Sequence, residues 1–149
     1  MAMHGWTVRC TMTETNLHTV LTGYVAAIQQ RDLEAAMNLI ADNVVTHVPG
    51  RSPSAGDLNG RAAFLGYIQA VDAMAHGNVT TEILDALIGQ HNFALLVRER
   101  IVTYDHTTLD IRRCNVYRVQ CGEIVEIWIF ESDQYGVDAF LGVNGGSQA

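Results

Sequence analysis

The chain has 149 residues and a mass of 16.3 kDa, which suits a single domain with a buried core. Its 48% hydrophobic and 17% charged residues exclude an intrinsically disordered chain. A net charge of -7 argues against nucleic-acid partners, and the lack of an apolar run of roughly 20 residues argues against a membrane span.

The first half of the chain is predicted to form two helices followed by one strand. Apolar residues at helical spacing over residues 16–28 predict an amphipathic first helix, and Asp32 is placed to cap a second. Residues 44–48 are mostly β-branched and predict a strand, which Pro49 ends because it lacks a backbone donor. Residues 50–60 show no periodicity and predict a polar loop.

The second half is predicted to form one helix and then a sheet. The helix covers residues 61–75. Four strands joined by short hairpin connections follow, over residues 79–88, 93–104, 109–119 and 124–131. This order predicts an α+β domain over residues 15–142, with three helices packed on a strongly bent, mostly antiparallel sheet. Residues 1–14 and 143–149 are expected to be a flexible extension and a flexible tail.

The predicted strands also bear on assembly. Two of them, within residues 93–104 and 124–131, are rich in apolar residues that we place on both faces of the sheet. Because a sheet that is apolar on both faces must be covered on both, we expect a homodimer formed through the sheet.

Composition and spacing give no sign of a metal or a cofactor. The six histidines lack metal-ligand spacing, and no phosphate-binding loop or dinucleotide fingerprint is present. Cys10, Cys114 and Cys121 form no C-x-x-C pair, and the first residues lack the apolar core of a signal peptide. We therefore expect reduced thiols in a cytoplasmic protein that needs neither metal nor cofactor.

Two stretches of the chain resemble a known superfamily. "YVAAIQQRDLEAAMNLIADNVVTHVPG" resembles the opening helices and first strand of the ketosteroid-isomerase branch of the NTF2-like superfamily. "GEIVEIWIFESDQYGVDAF" resembles the last strand and terminal turn of SnoaL-like proteins, a group that includes polyketide cyclases. The resemblance implies a cone-shaped α+β barrel whose hollow, between helices and sheet, holds an apolar ligand. Since this fold serves many functions, the site has to be argued from its residues.

Three residues match or replace catalytic positions of that family. Tyr24 matches the oxyanion tyrosine, and Asn115 stands where the isomerases carry a protonated aspartic acid, whose donor capacity an amide keeps. His47 belongs to an H-x-P-G pattern that many SnoaL-like sequences share, and a bulge beside Pro49 would turn it inward as the general base. The alternatives are structural: a core tyrosine, a cross-strand amide and a surface histidine.

The last predicted strand contributes further candidates. Glu131 has the same strand alternation as Ile127 and Ile129, so it faces the hollow if they do, and it would then assist as an acid. Asp133 is a second candidate for this assisting role, and the alternative is that it caps the terminal turn. The predicted substrate-binding residues are Trp128, Ile129, Ile127, Phe64 and Tyr117.

The charges in the middle of the sheet are predicted to be structural. Arg98, Glu99 and Arg100 are interpreted as exposed cross-strand partners of Asp110, Arg112 and Arg113. Arg100 also resembles the arginine of limonene-epoxide hydrolase. Val102 and Phe130 replace the two aspartates of that set, which disfavours epoxide hydrolysis by that route.

These residues together predict a cofactor-free isomerase or cyclase. It would act by proton transfer or cavity templating on a small apolar carbonyl substrate, most naturally a polyketide-type intermediate. The alternatives are a non-catalytic protein that binds an apolar ligand, and an epoxide hydrolase or dehydratase of the same fold.

Overall fold

The computed structural model describes residues 14–144 of the chain. Its four helices are α1 (Glu14–Gln29), α2 (Leu33–Asn38), α3 (Arg61–Met74) and α4 (Gln134–Asn144). Its six strands are β1 (Ile40–Val48), β2 (Gly56–Asn59), β3 (Val79–Ile88), β4 (Asn92–Val102), β5 (Thr108–Gln120) and β6 (Glu123–Glu131). The predicted flexible ends lie outside the described residues, apart from residues 14, 143 and 144.

The helices follow from local sequence signals. Leu17, Val20 and Tyr24 share the buried stripe of α1, as the helical spacing predicts. Asp32 caps α2, because its carboxylate accepts a hydrogen bond of 3.0 Å from the backbone N–H of Ala35. Asp133 caps the first turn of α4 in the same way, through the N–H of Gly136 at 2.9 Å.

The strands form one open, mixed sheet in the order β2-β1-β6-β5-β4-β3. Only the β1–β6 pair is parallel, and β2 and β3 are the two edges. The predicted α+β class is therefore confirmed, although the sheet does not close into a barrel. Two elements were not predicted: β2 lies in the segment expected to be a loop, and α4 replaces the expected terminal turn.

The strand register defines an inner face that packs against the helices. Three rows of side chains cross β4, β5 and β6 on this face: Phe93–Tyr117–Ile127, Leu95–Asn115–Ile129 and Val97–Arg113–Glu131. Successive rows are about 7 Å apart because every second residue of a strand faces the same side. The large core lies between these rows and α1, α2 and α3, while α4 forms a smaller core with Ile101, Leu109 and Ile111.

The cysteines differ from one another in the structure. Cys114 is a free thiol, but Cys121 is disulfide-bonded, so the prediction of reduced thiols is wrong for Cys121. Cys10 lies outside the described residues.

None of the helices in the described part of the chain is long and apolar enough to cross a membrane.

Candidate functional site

A cavity of about 510 Å³ lies between the inner face of the sheet and the helices α1, α2 and α3. Its wall is mainly apolar, with Phe64, Ile127 and Ile129 among the lining residues. It opens to solvent beside exposed residues such as Arg31 and Thr81. A cavity of this size suits a small molecule of two or three rings.

A cluster of aromatic rings forms one end of the cavity. Tyr117 stacks on Phe93 with ring centroids 4.7 Å apart, and the ring of Tyr24 lies 4.9 Å from that of Tyr117. Burial raises the pKa of Tyr24 well above its ordinary value, and the neighbouring Tyr117 raises it further. Both tyrosines therefore remain protonated hydrogen-bond donors at neutral pH.

The hydroxyl of Tyr117 is the focus of this cluster. Burial raises its pKa to about 12, while interactions with the side chains of Tyr24 and Asn115 act in the opposite direction. The Tyr117 hydroxyl therefore lies beside Tyr24 and Asn115, and all three residues line the cavity. Tyr117 remains protonated at neutral pH and can donate to a ligand.

A buried charge cluster forms the other polar part of the inner face. Arg113 donates to Glu131 from Nε at 3.2 Å, and its terminal nitrogens lie 2.9 Å from Glu131 and 2.8 Å from Glu99. The exposed fractions of the three side chains are 10% for Arg113, 3% for Glu131 and 15% for Glu99. Two carboxylates around one guanidinium leave one excess negative charge in a site nearly sealed from water.

The environment of this cluster shifts its proton equilibria. Burial raises the pKa of Glu131, and the nearby Arg113 only partly opposes that effect. Burial also opposes the charge of Arg113, but Glu99 and Glu131 keep its pKa above the ordinary value. Tyr67 of α3 lies close enough for these charges to influence its pKa, which burial raises. Glu99 and Arg113 line the cavity, whereas Glu131 does not.

His47 does not face the cavity, which corrects the predicted placement of the general base. The strand β1 runs regularly past it, so Thr46 and Val48 point inward and His47 points to the outer face of the sheet. No bulge occurs beside Pro49 to reverse this alternation. The ring of His47 stacks on Trp128 at 5.6 Å and hydrogen-bonds to Asp57 and Glu126, at 2.8 and 3.1 Å.

The other predicted site residues divide between the two faces of the sheet. Trp128 lies on the outer face with His47, which corrects its placement among the substrate-binding residues, since β6 alternates and Ile127 and Ile129 take the inner face. The predicted residues that line the cavity are Tyr24, Asn115, Tyr117, Phe64, Ile127 and Ile129. Asp133 serves as a helix cap.

Sequence reasoning missed two residues of the cavity wall. Glu99 and Arg113 were interpreted as exposed partners, but only the Arg98–Asp110 pair, at 2.8 Å, is an exposed ion pair of that kind. Strand alternation would have predicted their position, because Glu99 is two residues after Val97 and Arg113 is two residues before Asn115, on the inner face of the sheet. Within residues 14–144, no group of three or more His, Cys, Asp or Glu side chains is placed to hold a metal ion.

Comparison with known proteins identifies the family. The model of the SnoaL-like domain matches residues 21–127, which is most of the chain. The chain therefore belongs to the SnoaL-like domain family. No curated protein matches it.

Solved structures agree with this assignment. Bal32a, from a soil-derived mobile gene cassette, is 27% identical, with a TM-score of 0.76 over 85% of this chain and 96% of its own. A cystatin-like-fold protein of unknown function from Xanthomonas campestris is 24% identical, with a TM-score of 0.77 over 85% of this chain and 98% of its own. A Mycobacterium tuberculosis protein in complex with estradiol-17β-hemisuccinate is 18% identical, with a TM-score of 0.64 over 76% of this chain and 92% of its own. The matches include NTF2-like proteins, as the sequence predicted.

Proposed function

We propose that the protein is a cofactor-free isomerase or cyclase that acts on a small apolar carbonyl compound. The observation that carries the proposal is the buried hydroxyl of Tyr117, which lies beside Tyr24 and Asn115 in the wall of a mainly apolar cavity. A hydroxyl held in this way is oriented before the ligand arrives. It can donate to a ligand oxygen that gains negative charge during the reaction.

The proton-transfer step falls to Glu99 in this proposal. Its carboxylate lies on the same cavity wall, and Arg113 holds it by one hydrogen bond of 2.8 Å. Glu99 would take a proton from the carbon next to the carbonyl, and the electron pair would move to the oxygen held by Tyr117. For an isomerisation, the same carboxyl group would return the proton to a different carbon. For a cyclisation, the enolate carbon would attack a second carbonyl carbon of the substrate, the electron pair of that C=O bond would move to its oxygen, and Glu99 would give its proton to that oxygen.

Arg113 and Glu131 are positioning residues in this mechanism. Glu131 contacts two nitrogens of Arg113, which fixes the guanidinium and balances its charge. Glu99 has one hydrogen bond to Arg113, through Oε1, and is the proton acceptor in this proposal. The role of Glu99 replaces the one that the sequence suggested for His47, and Glu131, which the sequence suggested as an assisting acid, holds Arg113 instead.

The test is exchange of the protons next to the carbonyl of 2-tetralone, a bicyclic ketone that suits a 510 Å³ cavity. In D₂O the protein should accelerate deuterium incorporation, followed by proton NMR. Tyr117→Phe should slow the reaction by roughly 10² or more, because it removes one donor to the developing oxyanion. Glu99→Gln should slow it by roughly 10² to 10⁴, because it removes the base.

His47→Ala is the matched control, since His47 lies on the opposite face of the sheet. It should exchange 2-tetralone at the wild-type rate. A loss of exchange in His47→Ala with retention in Glu99→Gln would contradict the proposal. Binding of 2-tetralone without accelerated exchange would favour the second candidate, a non-catalytic protein that binds an apolar ligand.

The charge cluster also supports an alternative function, the hydrolysis of epoxides. Glu99, Arg113 and Glu131 supply a carboxylate–arginine–carboxylate set from three strands, rather than from Arg100 and its neighbours in sequence. Hydrolysis of styrene oxide by the wild-type protein, lost in Glu99→Gln, would support that function over the carbonyl chemistry.

We also propose that the protein is a homodimer formed through the outer face of the sheet. The register brings six residues together there as an outer apolar patch: Ala94, Leu96, Cys114, Val116, Trp128 and Phe130. Phe130 is 56% exposed at its edge. Charged pairs, including Arg98–Asp110, border the patch, an arrangement typical of a contact surface. A second copy would cover the apolar centre and leave the charges in solvent.

A further inference from the structure

The side-chain amide of Asn115 has a carbonyl oxygen without a hydrogen-bond donor in the described part of the chain. Its carbonyl oxygen Oδ1 is buried and accepts no hydrogen bond from any described residue, although the side chain lies beside Tyr117. A buried acceptor without a donor is costly, and native proteins leave few of them. Asn115 lines the cavity, so a bound ligand is the group placed to supply the missing donor.

The position of this oxygen restricts where the ligand donor must be. Asn115 and Tyr117 are two residues apart on the inner face of β5 and line the same cavity, so Oδ1 and the Tyr117 hydroxyl are close enough to bind one small ligand together. One ligand oxygen can therefore accept from Tyr117 while an adjacent ligand hydroxyl donates to Asn115 Oδ1. A lone carbonyl would satisfy Tyr117 and leave the Asn115 acceptor unpaired.

We propose that Asn115 makes the cavity selective for substrates that carry a hydroxyl beside the carbonyl bound by Tyr117. The class includes hydroxy ketones and 1,3-dicarbonyl compounds in their enol form, on an apolar body. This inference rests on the proposed function, because it assumes that Tyr117 binds the substrate oxygen. It adds the recognition of a second oxygen, for which Asn115 is the specificity-determining residue.

Three probes of matched shape test the inference by calorimetric titration of the full-length protein. They are 2-naphthol, 2,3-dihydroxynaphthalene, and 3-methoxy-2-naphthol, whose second oxygen has no proton to donate. We expect the diol to bind about tenfold more tightly than the methoxy compound, since only the diol satisfies Asn115 Oδ1.

Two variants of Asn115 separate its roles. Asn115→Leu has a similar size and no acceptor, so the preference for the diol should disappear. Asn115→Asp keeps an acceptor at the same place, so the preference should remain even if all three probes bind less tightly. Loss of the preference in both variants would overturn the inference.

The affinities of the wild-type protein for the three probes also distinguish failure of this inference from failure of the proposed function. Equal affinity for the diol and the methoxy compound, with normal binding of 2-naphthol, would overturn this inference and leave the proposed function standing. Tighter binding of the methoxy compound would overturn it as well, because the NH₂ group of Asn115 would then face the ligand. Failure of all three probes to bind would overturn both the inference and the proposed function.

Discussion

His47 is held on the outer face of the sheet by three different contacts. It stacks on Trp128 and hydrogen-bonds to Asp57 on β2 and Glu126 on β6, so it links an edge strand to the centre of the sheet. Hydrogen bonds to Glu126 and then to Asp57 raise the pKa of His47 above its ordinary value. The protonated ring of His47 therefore stabilises the fold.

The first prediction concerns the pH dependence of stability. Because the folded pKa is raised, the contribution of His47 is fully present below its unfolded pKa of about 6.5 and is lost as pH rises through the folded value. His47→Gln should lower the free energy of unfolding at pH 6 and much less at pH 9. The effect should stay below about 1 kcal/mol, since the partners are partly exposed.

Urea denaturation at the two pH values measures this difference. His91→Gln, a change at an exposed histidine of the β3–β4 turn, is the control and should give equal values at both. A destabilisation by His47→Gln that grows toward pH 9 would contradict the assignment.

At the scale of elements, the segment between β1 and α3 differs most from its prediction. β2 was missed because it is a short edge strand with little burial on either face, so it shows no alternation of apolar and polar residues. The preceding turn is held by α4, since Asp138 accepts from the N–H of Arg51 at 3.0 Å and Gln134 donates to the carbonyl of Pro49 at 3.4 Å. These contacts link residues far apart in sequence.

A substitution at Gly50 tests how closely this turn packs against α4. Its φ of +97° disfavours any side chain, and an added Cβ would collide with Asp138 and Gln134. Gly50→Ala should therefore destabilise the protein by more than about 1 kcal/mol. Gly66→Ala is the matched control: that glycine lies within α3 with no atom near the added Cβ, and alanine should stabilise the helix by about 0.5–1 kcal/mol. Melting temperatures that change in the same direction for both would contradict this account.

At the scale of the whole molecule, the sheet has two apolar faces with different partners. The helices cover the inner face and enclose the cavity, whereas no described helix covers the outer apolar patch. Exposure of aromatic surface to water is unfavourable by about 25 cal/mol per Å², so association of two copies would lower the free energy of the protein.

Sedimentation at micromolar concentration should give a mass near twice 16.3 kDa. Phe130→Asp places a charge in the outer apolar patch and should shift the protein toward monomer. Tyr135→Asp makes a matched change at a ring that is 91% exposed on α4 and does not belong to the patch, and it should leave the dimer intact. A monomeric wild-type protein would contradict the proposed assembly.

The sequence by itself determined the order and type of most elements of this protein. Helical spacing in α1, the cap at Asp32 and the apolar strands are local signals, and local signals report secondary structure well. The sequence also placed Tyr24, Asn115 and Tyr117 on cavity-facing positions through its family resemblance.

Only the tertiary structure decided which of the polar side chains contact one another. It places the Tyr117 hydroxyl beside Tyr24 and Asn115, and it brings Glu99, Arg113 and Glu131 together from three strands. It also places His47 on the opposite face, because β1 has a regular register from Val45 to Val48 and successive side chains of a regular strand point to opposite faces.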